Sequence, residues 1–582
     1  MSQLSSKKLS SKKSPSEANK PDKAKLDFEP SNAFWPETHE VKNLPLALEN
    51  YNSFLADRAL QESVEAFDGS WGQADLQRFG ALCGSSELIE WGFQANANRP
   101  ELFTHDRYGQ RVDEVKFHPA YHSLMACAMK AGLHASHWTE EQRGAQVVRA
   151  AKSYLMTQVE AGHGCPITMT SAAIPTLKRQ TDLYQTWAPK ILHTAYDPRN
   201  VSHDEKESIT IGMAMTEKQG GSDVRQNTTR AYATGKGGPG KVYELVGHKY
   251  FVSAPMCDAF LVLAQTEPGV SCFLVPRWRP DGSKNPLQIQ RLKNKMGNVS
   301  NASSETELRG AMGWLIGDEG RGVSAILEMV AMTRFDCMIG SSALMRQAVA
   351  QITHHCDKRV VFGATLSRQP LMQNVLADLI LESEASLAMT MRLAHALDCS
   401  EQDEDEKNLV RMGTAIGKYW ICKRTPGHAY EAMECIGGSG VMEDSIMPRL
   451  FRESPINTIW EGSGNVQCLD MLRAMERNPD SLDAYQEEVY KAQGKHPLMD
   501  QALSSLAQDL EDKHDIEYRS RSIVQKMALA MQASSLLLYS NEMVAEAFCL
   551  ARLSPDNQHF VYGSLPKGID CAALIRRANP SQ

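Results

Sequence analysis

From Val323 to about Lys358 the chain runs ~36 residues without a proline, with Gly340 as its one interior weak break; as an α-helix this reaches roughly 50 Å. A helix of that length needs partners of similar length along its side. Leu371 to Cys399 and Asn408 to Ile436 supply them, and the acidic run Glu401-Gln402-Asp403-Glu404-Asp405-Glu406 reads as a solvated connection between the two. The expectation is a four-helix bundle domain over residues 323–475.

The period changes ahead of this bundle. Val242-Tyr243-Glu244-Leu245-Val246, Tyr250-Phe251-Val252, Phe260-Leu261-Val262-Leu263 and Ser271-Cys272-Phe273-Leu274-Val275 are short β-prone runs separated by Gly, Pro, Asp and Asn. They predict a central β-domain over 209–322. Before it, 26–208 reads as an N-terminal helical domain, with Gly144–Glu160 and Leu177–Ile191 its clearest periodic stretches. After Met475, stretches such as Leu498–Leu510 and Ser522–Leu538 predict an additional helical domain over 476–582. The fold class expected is therefore mainly α with a central β-domain. Residues 1–25 are Ser/Lys/Pro-rich and read as a disordered tail.

Composition excludes several classes of function. With 582 residues and 42% apolar content the chain has room for several cores, and no stretch approaches the ~18–20 apolar residues of a membrane span. A formal charge of −8 gives no overall electrostatic footprint for nucleic acid or an anionic membrane. The 13 cysteines include no C-x-x-C pair, which argues against a zinc ribbon, an iron–sulfur site or a redox dithiol and points to a reducing compartment. A cytoplasmic location is expected. The mitochondrial matrix is the alternative, disfavoured because the tail carries lysines but no arginine and almost no apolar residues.

Two segments carry candidate chemistry. Thr216-Glu217-Lys218-Gln219-Gly220-Gly221-Ser222-Asp223 brings hydroxyls and paired glycines together after the apolar run Ile209–Met215; glycines admit an anion to backbone N–H groups, although such a string alone is more often a turn. Farther on, Ile459-Trp460-Glu461-Gly462-Ser463-Gly464 sets a carboxylate beside an aromatic ring and ahead of small residues. Other strings are declined. Gly235 to Lys241 has P-loop spacing, but Val242 replaces the required hydroxyl and a strand follows, so a hairpin turn is predicted. His118/His122 and His134/His137 lack the accompanying ligands of a metal site, and none is expected.

The complete string Ala214–Asp223 resembles, position for position, the first signature of the acyl-CoA dehydrogenases. Glu434, Gly437, Gly438, Gly440, Val441, Asp444, Arg449 and Glu453 follow the second. The resemblance covers roughly residues 40–475. Met332-Thr333-Arg334-Phe335-Asp336-Cys337 and Ile459–Asn465 make it closest to the AidB-like branch, named for a bacterial alkylation-response protein. This resemblance implies FAD held between the β-domain and the bundle and completed by a neighbouring subunit, in a homotetramer. It implies cofactor contacts from Met215, Thr216, Gly221, Ser222, Phe251, Ser253, Glu434, Gly438, Ser463 and Asn465, with Arg359 and Phe362 reaching the FAD of the adjacent subunit. Glu461 matches the catalytic base. In two branches the base stands instead at the position of Thr333, which cannot serve. Arg334 and Arg473 are candidate substrate-side cations, but the acid usually found three residues before Arg334 is Ala331 here, a departure that bears on CoA recognition.

Three functions remain open at the level of sequence. The first is an FAD-dependent α,β-dehydrogenase of an acyl-CoA thioester, giving the 2,3-enoyl-CoA and passing electrons to an electron-transfer flavoprotein. The second is a DNA-associated protein protecting against alkylation, linked to the extra C-terminal domain, whose 11 Lys/Arg against 14 Asp/Glu from Arg477 onward leave it acidic. The third is an acyl-CoA sensor with little turnover.

Overall fold

The computed structural model describes residues 39–555 and 561–581; the expected disordered tail lies outside the described residues. The N-terminal helices are α1 Arg58–Ala66, α2 Gln73–Cys83, α3 Ser86–Ala97, α4 Pro119–Lys130, α5 Ser136–Thr139, α6 Ala145–Val159, α7 Gly164–Lys178 and α8 Thr181–Ile191. Polar side chains set their starts, as where Asp57 accepts from Leu60 N at 3.1 Å and Ser85 from Leu88 N at 3.3 Å, covering N–H groups the helix cannot use. One departure is a hairpin, β1 Glu101–His105 with β2 Arg111–Lys116, inside the stretch read as helical.

The central strands are β3 Ile211–Ala214, β4 Arg230–Ala233, β5 Val242–Ser253, β6 Ala259–Thr266, β7 Gly269–Pro276, β8 Leu287–Leu292 and β9 Ser303–Ile316. Strands β4, β5, β9, β7 and β6 pair in that order, and β6 returns to β4 through Arg230 and Gln265, which closes the ring into a small barrel. The parallel β3 and the antiparallel β8 extend it on β6 and β9. The segment with P-loop spacing connects β4 to β5, whose ends pair Ala233 with Tyr243.

The bundle follows as α9 Gly322–Lys358, a two-strand hairpin of β10 Val360–Val361 and β11 Ala364–Thr365, α10 Pro370–Cys399 and α11 Glu404–Ile436. Half of the acidic run belongs to α11 rather than to the connection. Asp403 caps it, accepting from Asp405 N at 2.9 Å, and acids in a first turn complement the helix dipole. Short helices α12 Met447–Glu453 and α13 Ile456–Ile459 lead to α14 Gly464–Arg477. The chain then adds α15 Asp480–Tyr490, α16 Pro497–Glu511, α17 Ile516–Tyr539, α18 Glu542–Arg552 and α19 Cys571–Ala578.

Packing cuts across the boundaries expected from sequence. One continuous core runs from Phe54 through the N-terminal helices and the bundle to Ala578, so α15–α19 have no separate core. A second core fills the barrel and takes in α7, α8 and Ala325, Ile326 and Met329 of α9. Buried ion pairs join the added helices to the bundle: Arg552 with Asp378 at 2.5 Å, Arg392 with Glu488 at 2.6 Å, and Arg577 with Glu384 at 3.1 Å. Among the described residues no helix is long and apolar enough to cross a membrane.

Candidate active site

Between the end of α13 and the start of α14 the backbone turns through Trp460, Glu461 and Gly462. Glu461 sits in the left-handed region at φ 59°, which costs a non-glycine residue roughly 1–3 kcal/mol unless its surroundings impose it. Here they do, because all three carbonyls of the turn are held. Lys418 of α11 donates Nζ to Trp460 O at 2.8 Å and to Gly462 O at 2.5 Å. Arg334 of α9 donates Nε to Glu461 O at 2.9 Å, and Gln467 Nε2 reaches Glu461 O at 3.1 Å and Gly462 O at 3.0 Å. Gly462, at φ 101°, admits this approach, since a Cβ there would lie 2.7 Å from Gln467 Nε2.

The Glu461 carboxylate turns towards α9, where Thr333 Oγ1 lies 2.8 Å from its Oε2. Burial raises the Glu461 pKa above the usual carboxylate value, while the Thr333 hydrogen bond and the charges of Arg334 and Lys418 oppose that rise. Thr333 has one hydrogen and two acceptors in reach, Glu461 Oε2 and Val330 O at 3.0 Å. The hydroxyl therefore suits both protonation states: it donates to an ionised Glu461, or turns its hydrogen to Val330 and accepts from a protonated one.

Arg334 is itself tied to α14. Its Nη1 pairs with Asp470 at 2.9 Å, and Arg411 pairs with the same carboxylate at 2.9 Å. Arg473 is exposed on α14 and is not among the residues that contact Glu461.

The loop after β3 carries Met215, Thr216, Gly221 and Ser222. Beneath it Glu217 is buried and ion-paired with buried Lys249 of β5 at 2.8 Å, and it accepts from Thr228 N at 2.7 Å and Thr229 N at 3.1 Å. Burial alone would raise the Glu217 carboxyl, but Lys249 and these donors hold it at about 2. The loop is thus anchored from its interior side, which leaves Ser222 exposed and Thr216 half-buried. A Cβ on Gly221 would come 2.9 Å from Thr216 Oγ1, so glycine keeps that hydroxyl clear. On β5, Phe251 is 42% exposed, and Ser253 Oγ lies 2.9 Å from Ser303 Oγ, itself bonded by Lys295 Nζ at 2.9 Å. An uncovered hydroxyl, an exposed ring and a glycine-paired loop fit a flat polar cofactor with an anionic tail.

The remaining residues of the expected cofactor set lie elsewhere. Arg359 is 26 residues beyond Thr333 along α9, about 39 Å at the helical rise. Phe362, at φ 52° and 97% exposed, caps the β10–β11 hairpin next to it. Cys356 Sγ approaches Cys435 O at 3.8 Å, so Glu434 and Gly438 at the end of α11 share that far end of the bundle. Ser463 and Asn465 flank the Glu461 turn instead, and Asn465 Oδ1 accepts from Arg521 Nε of α17 at 2.8 Å. The Arg359 group therefore lies far from the Glu461 turn within one chain.

Sequence reasoning missed Lys418, Gln467 and the Glu217–Lys249 pair. The available signal was a lysine placed among apolar helix residues in Ile416-Gly417-Lys418-Tyr419-Trp420 and one on the inward face of a strand. The declined histidines have local partners: His118 accepts from Ala120 N at 3.2 Å, His122 bonds Tyr196 at 2.9 Å, and burial takes His134 down to about 4. Among the described residues no group of three or more His, Cys, Asp or Glu is placed to hold a metal ion.

Comparison with known proteins places this geometry. Residues 43–198 match the adaptive response protein AidB N-terminal domain, 212–311 the acyl-CoA dehydrogenase middle domain and 320–476 the acyl-CoA dehydrogenase C-terminal domain. The chain is 44% identical to AidB of Escherichia coli (strain K12) over 519 residues, 89% of this chain and 95% of that one. Among solved structures, Caenorhabditis elegans ACDH-11 in complex with C11-CoA superposes with a TM-score of 0.81 at 27% identity, over 90% of this chain and 95% of the other. An acyl-CoA dehydrogenase from Bacillus anthracis complexed with FAD shares the fold at 18% identity and a TM-score of 0.60, over 74% and 80% of the two chains. The protein belongs to the acyl-CoA dehydrogenase family of FAD-dependent oxidoreductases, in its AidB-like branch.

Proposed function

We propose that the protein oxidises an acyl-CoA thioester to the 2,3-enoyl-CoA, with Glu461 as the base that removes the α-proton. The observation that carries this reading is the Glu461 carboxylate itself, raised in pKa by burial and hydrogen-bonded at 2.8 Å to Thr333, on an over-determined turn. A thioester α-proton is weakly acidic, so the base must be stronger than an ordinary carboxylate yet ionised before it acts. Burial supplies the first property. Lys418 and Arg334 supply the second by limiting the rise. On accepting the proton, Glu461 donates to Thr333, whose hydrogen moves to Val330 O, so the protonated product state is also hydrogen-bonded.

FAD, when bound, supplies the acceptor for the β-hydride. Thr216, Ser222, Phe251 and Ser253 would hold it on the β-domain side, with Met215 and Gly221 shaping the loop and Ser463 and Asn465 closing the bundle side. Arg359, Phe362, Glu434 and Gly438, some 39 Å along the bundle at the helical rise, would serve the cofactor of a neighbouring subunit, which makes a homotetramer the expected assembly. An acyl-CoA substrate is supported by the complex of the nematode relative with C11-CoA. An electron-transfer flavoprotein or a similar acceptor would reoxidise the cofactor, and the cytoplasm is the proposed location.

Among the described residues, the ion pairing of the added helices weighs against the DNA-associated reading. In the added helices Arg519, Lys526, Arg552 and Arg577 are all consumed in ion pairs, two of them buried. The test is anaerobic titration of the FAD-loaded protein with short, branched, medium and long acyl-CoAs, following the visible flavin band beside a Glu461→Gln control. Bleaching by one class, slowed roughly 10²–10⁴-fold in the control, establishes the dehydrogenase; bound FAD with no bleaching by any class refutes it and leaves the sensor.

A further inference from the structure

One helical turn beyond Thr333, on the same face of α9, Asp336 faces a cavity of about 40 Å³ between α6, α7 and α9. A buried water needs ~10–15 Å³ of such space, so there is room for about three waters or a small polar group. Its lining includes Arg149, Asp336, Thr168, Ser153 and His163 among aliphatic side chains such as Ile339. The Arg149 guanidinium, 2% exposed, pairs with Asp336 through both Nη atoms, with Nη2 to Oδ2 at 2.6 Å, and donates Nε to Leu133 O at 2.9 Å. Thr168 Oγ1 donates to Asp336 Oδ2 at 2.7 Å. Ser153 Oγ is buried and has no hydrogen-bond partner. A buried hydroxyl without a partner costs about 1–3 kcal/mol, so a polar group entering the cavity would gain by bonding Ser153 Oγ.

Two elements run from the cavity lining to residues near Glu461. On α9, Thr333 touches the Glu461 carboxylate and Asp336 lies three residues on. On α7, Gly164 lines the cavity, while the adjacent Cys165 thiol, raised to about 12 by burial, is close enough to Glu461 and Lys295 to feel both charges. An acyl group with its α-carbon at Glu461 and its tail directed along α9 meets the Arg149–Asp336 pair about one turn, ~5 Å, farther in. A long hydrocarbon tail would have to press against a guanidinium, a carboxylate and an unpaired hydroxyl, none of which it can satisfy.

We propose that this cavity is a polar subsite that selects short acyl groups bearing a hydroxyl or carbonyl near the δ-carbon over unsubstituted longer chains. The inference rests on Glu461 being the base of the proposed reaction. It makes Ser153, Thr168 and the Arg149–Asp336 pair specificity determinants, with Ser153 Oγ and the remaining guanidinium hydrogens available to the substituent.

The test separates binding from turnover. Calorimetric titration of the FAD-loaded Glu461→Gln protein with 5-hydroxypentanoyl-CoA, pentanoyl-CoA and octanoyl-CoA should give about tenfold tighter binding of the hydroxylated thioester than of either other, the worth of one buried hydrogen bond. The Arg149→Met/Asp336→Leu pair in the same background should reverse the order in favour of octanoyl-CoA. Ser153→Ala, which cannot disturb the ion pair, should by itself remove most of the preference. Octanoyl-CoA bound as tightly as the hydroxylated thioester, or a preference unaltered by Ser153→Ala, overturns the subsite. Flavin reduction in the Glu461 protein is scored separately. Selective binding with no reduction by any acyl-CoA class refutes the dehydrogenase reading and leaves the selective cavity standing, whereas reduction without selectivity does the converse; absence of binding by all three overturns the subsite.

Discussion

Replacing Lys418 by Met tests whether the turn that carries Glu461 is held from behind. Lys418 is buried, and its ammonium spans Trp460 O at 2.8 Å and Gly462 O at 2.5 Å. A hydrogen bond from a charged donor contributes ~1.5–3 kcal/mol, so the two together hold ~3–6 kcal/mol; removing the buried charge recovers part of its desolvation cost, for a net loss of ~2–4 kcal/mol. Gly462 O would keep Gln467, whereas Trp460 O would have no donor. Lys418 is also one of the cations that keep the Glu461 pKa from rising further. Its removal therefore raises that pKa, and the rising limb of the rate of flavin reduction against pH moves to higher pH. Urea unfolding at neutral pH and stopped-flow flavin reduction across the pH range read the two effects. Lys407→Met, at an exposed pair near the start of the same helix, is the control and should change stability by no more than about 0.5 kcal/mol. A Lys418→Met protein with control-like stability and an unmoved pH limb would refute the bracing argument.

Other perturbations discriminate among the remaining claims. Lys249→Met strands Glu217 without its cation and should cost ~3–5 kcal/mol in urea unfolding and weaken FAD retention, with Glu217→Gln in addition recovering most of the stability; an unchanged midpoint would mean that the pair does not anchor the loop. Glu453 is buried beside Glu160, and burial lifts its carboxyl to about 7. Because the unfolded chain loses this proton near its ordinary value, stability falls as pH rises from about 4.5 to about 7, and Glu453→Gln should flatten that fall by on the order of 2–3 kcal/mol as measured by unfolding at pH 4.5 and 8. Phe362→Ala should leave the unfolding of the subunit within about 0.5 kcal/mol while reducing the assembled fraction in sedimentation velocity, since the ring is 97% exposed; an intact assembly with full cofactor would remove the hairpin from the interface.

What could be read in advance followed from chain periodicity and from signature strings, and what could not depended on partners remote in sequence. The long helices end within a few residues of their predicted limits because apolar spacing persists over many turns, and the acidic run shifted the start of α11 only because Asp403 caps a turn that charge alone reads as linker. The β1–β2 hairpin escaped because strands of 5 and 6 residues carry little periodic signal among helices. Glu461 was visible as a carboxylate in a signature, but its environment was not. Thr333 lies 128 positions away, and the Arg334–Asp470 pair spans 136, so the partners that hold the Glu461 turn are remote from it in sequence. Lysines are ordinarily solvated, so the apolar neighbours of Lys418 and the inward register of Lys249 were the only signs that each supports a functional loop, and neither names the loop it supports. The two loops share one device: a buried cation on the interior side, Lys418 bonding the carbonyls of the Glu461 turn and Lys249 bonding the Glu217 carboxylate, which leaves the groups of the outer side free of structural duty. Glu461 can change protonation state without unfastening its turn because the turn is fixed through carbonyls, not through the carboxylate. Ser222 and Thr216 can likewise meet a ligand because their loop is held from its interior side, by the Glu217 carboxylate and by Asn227 Nδ2 donating to Met215 O at 2.9 Å.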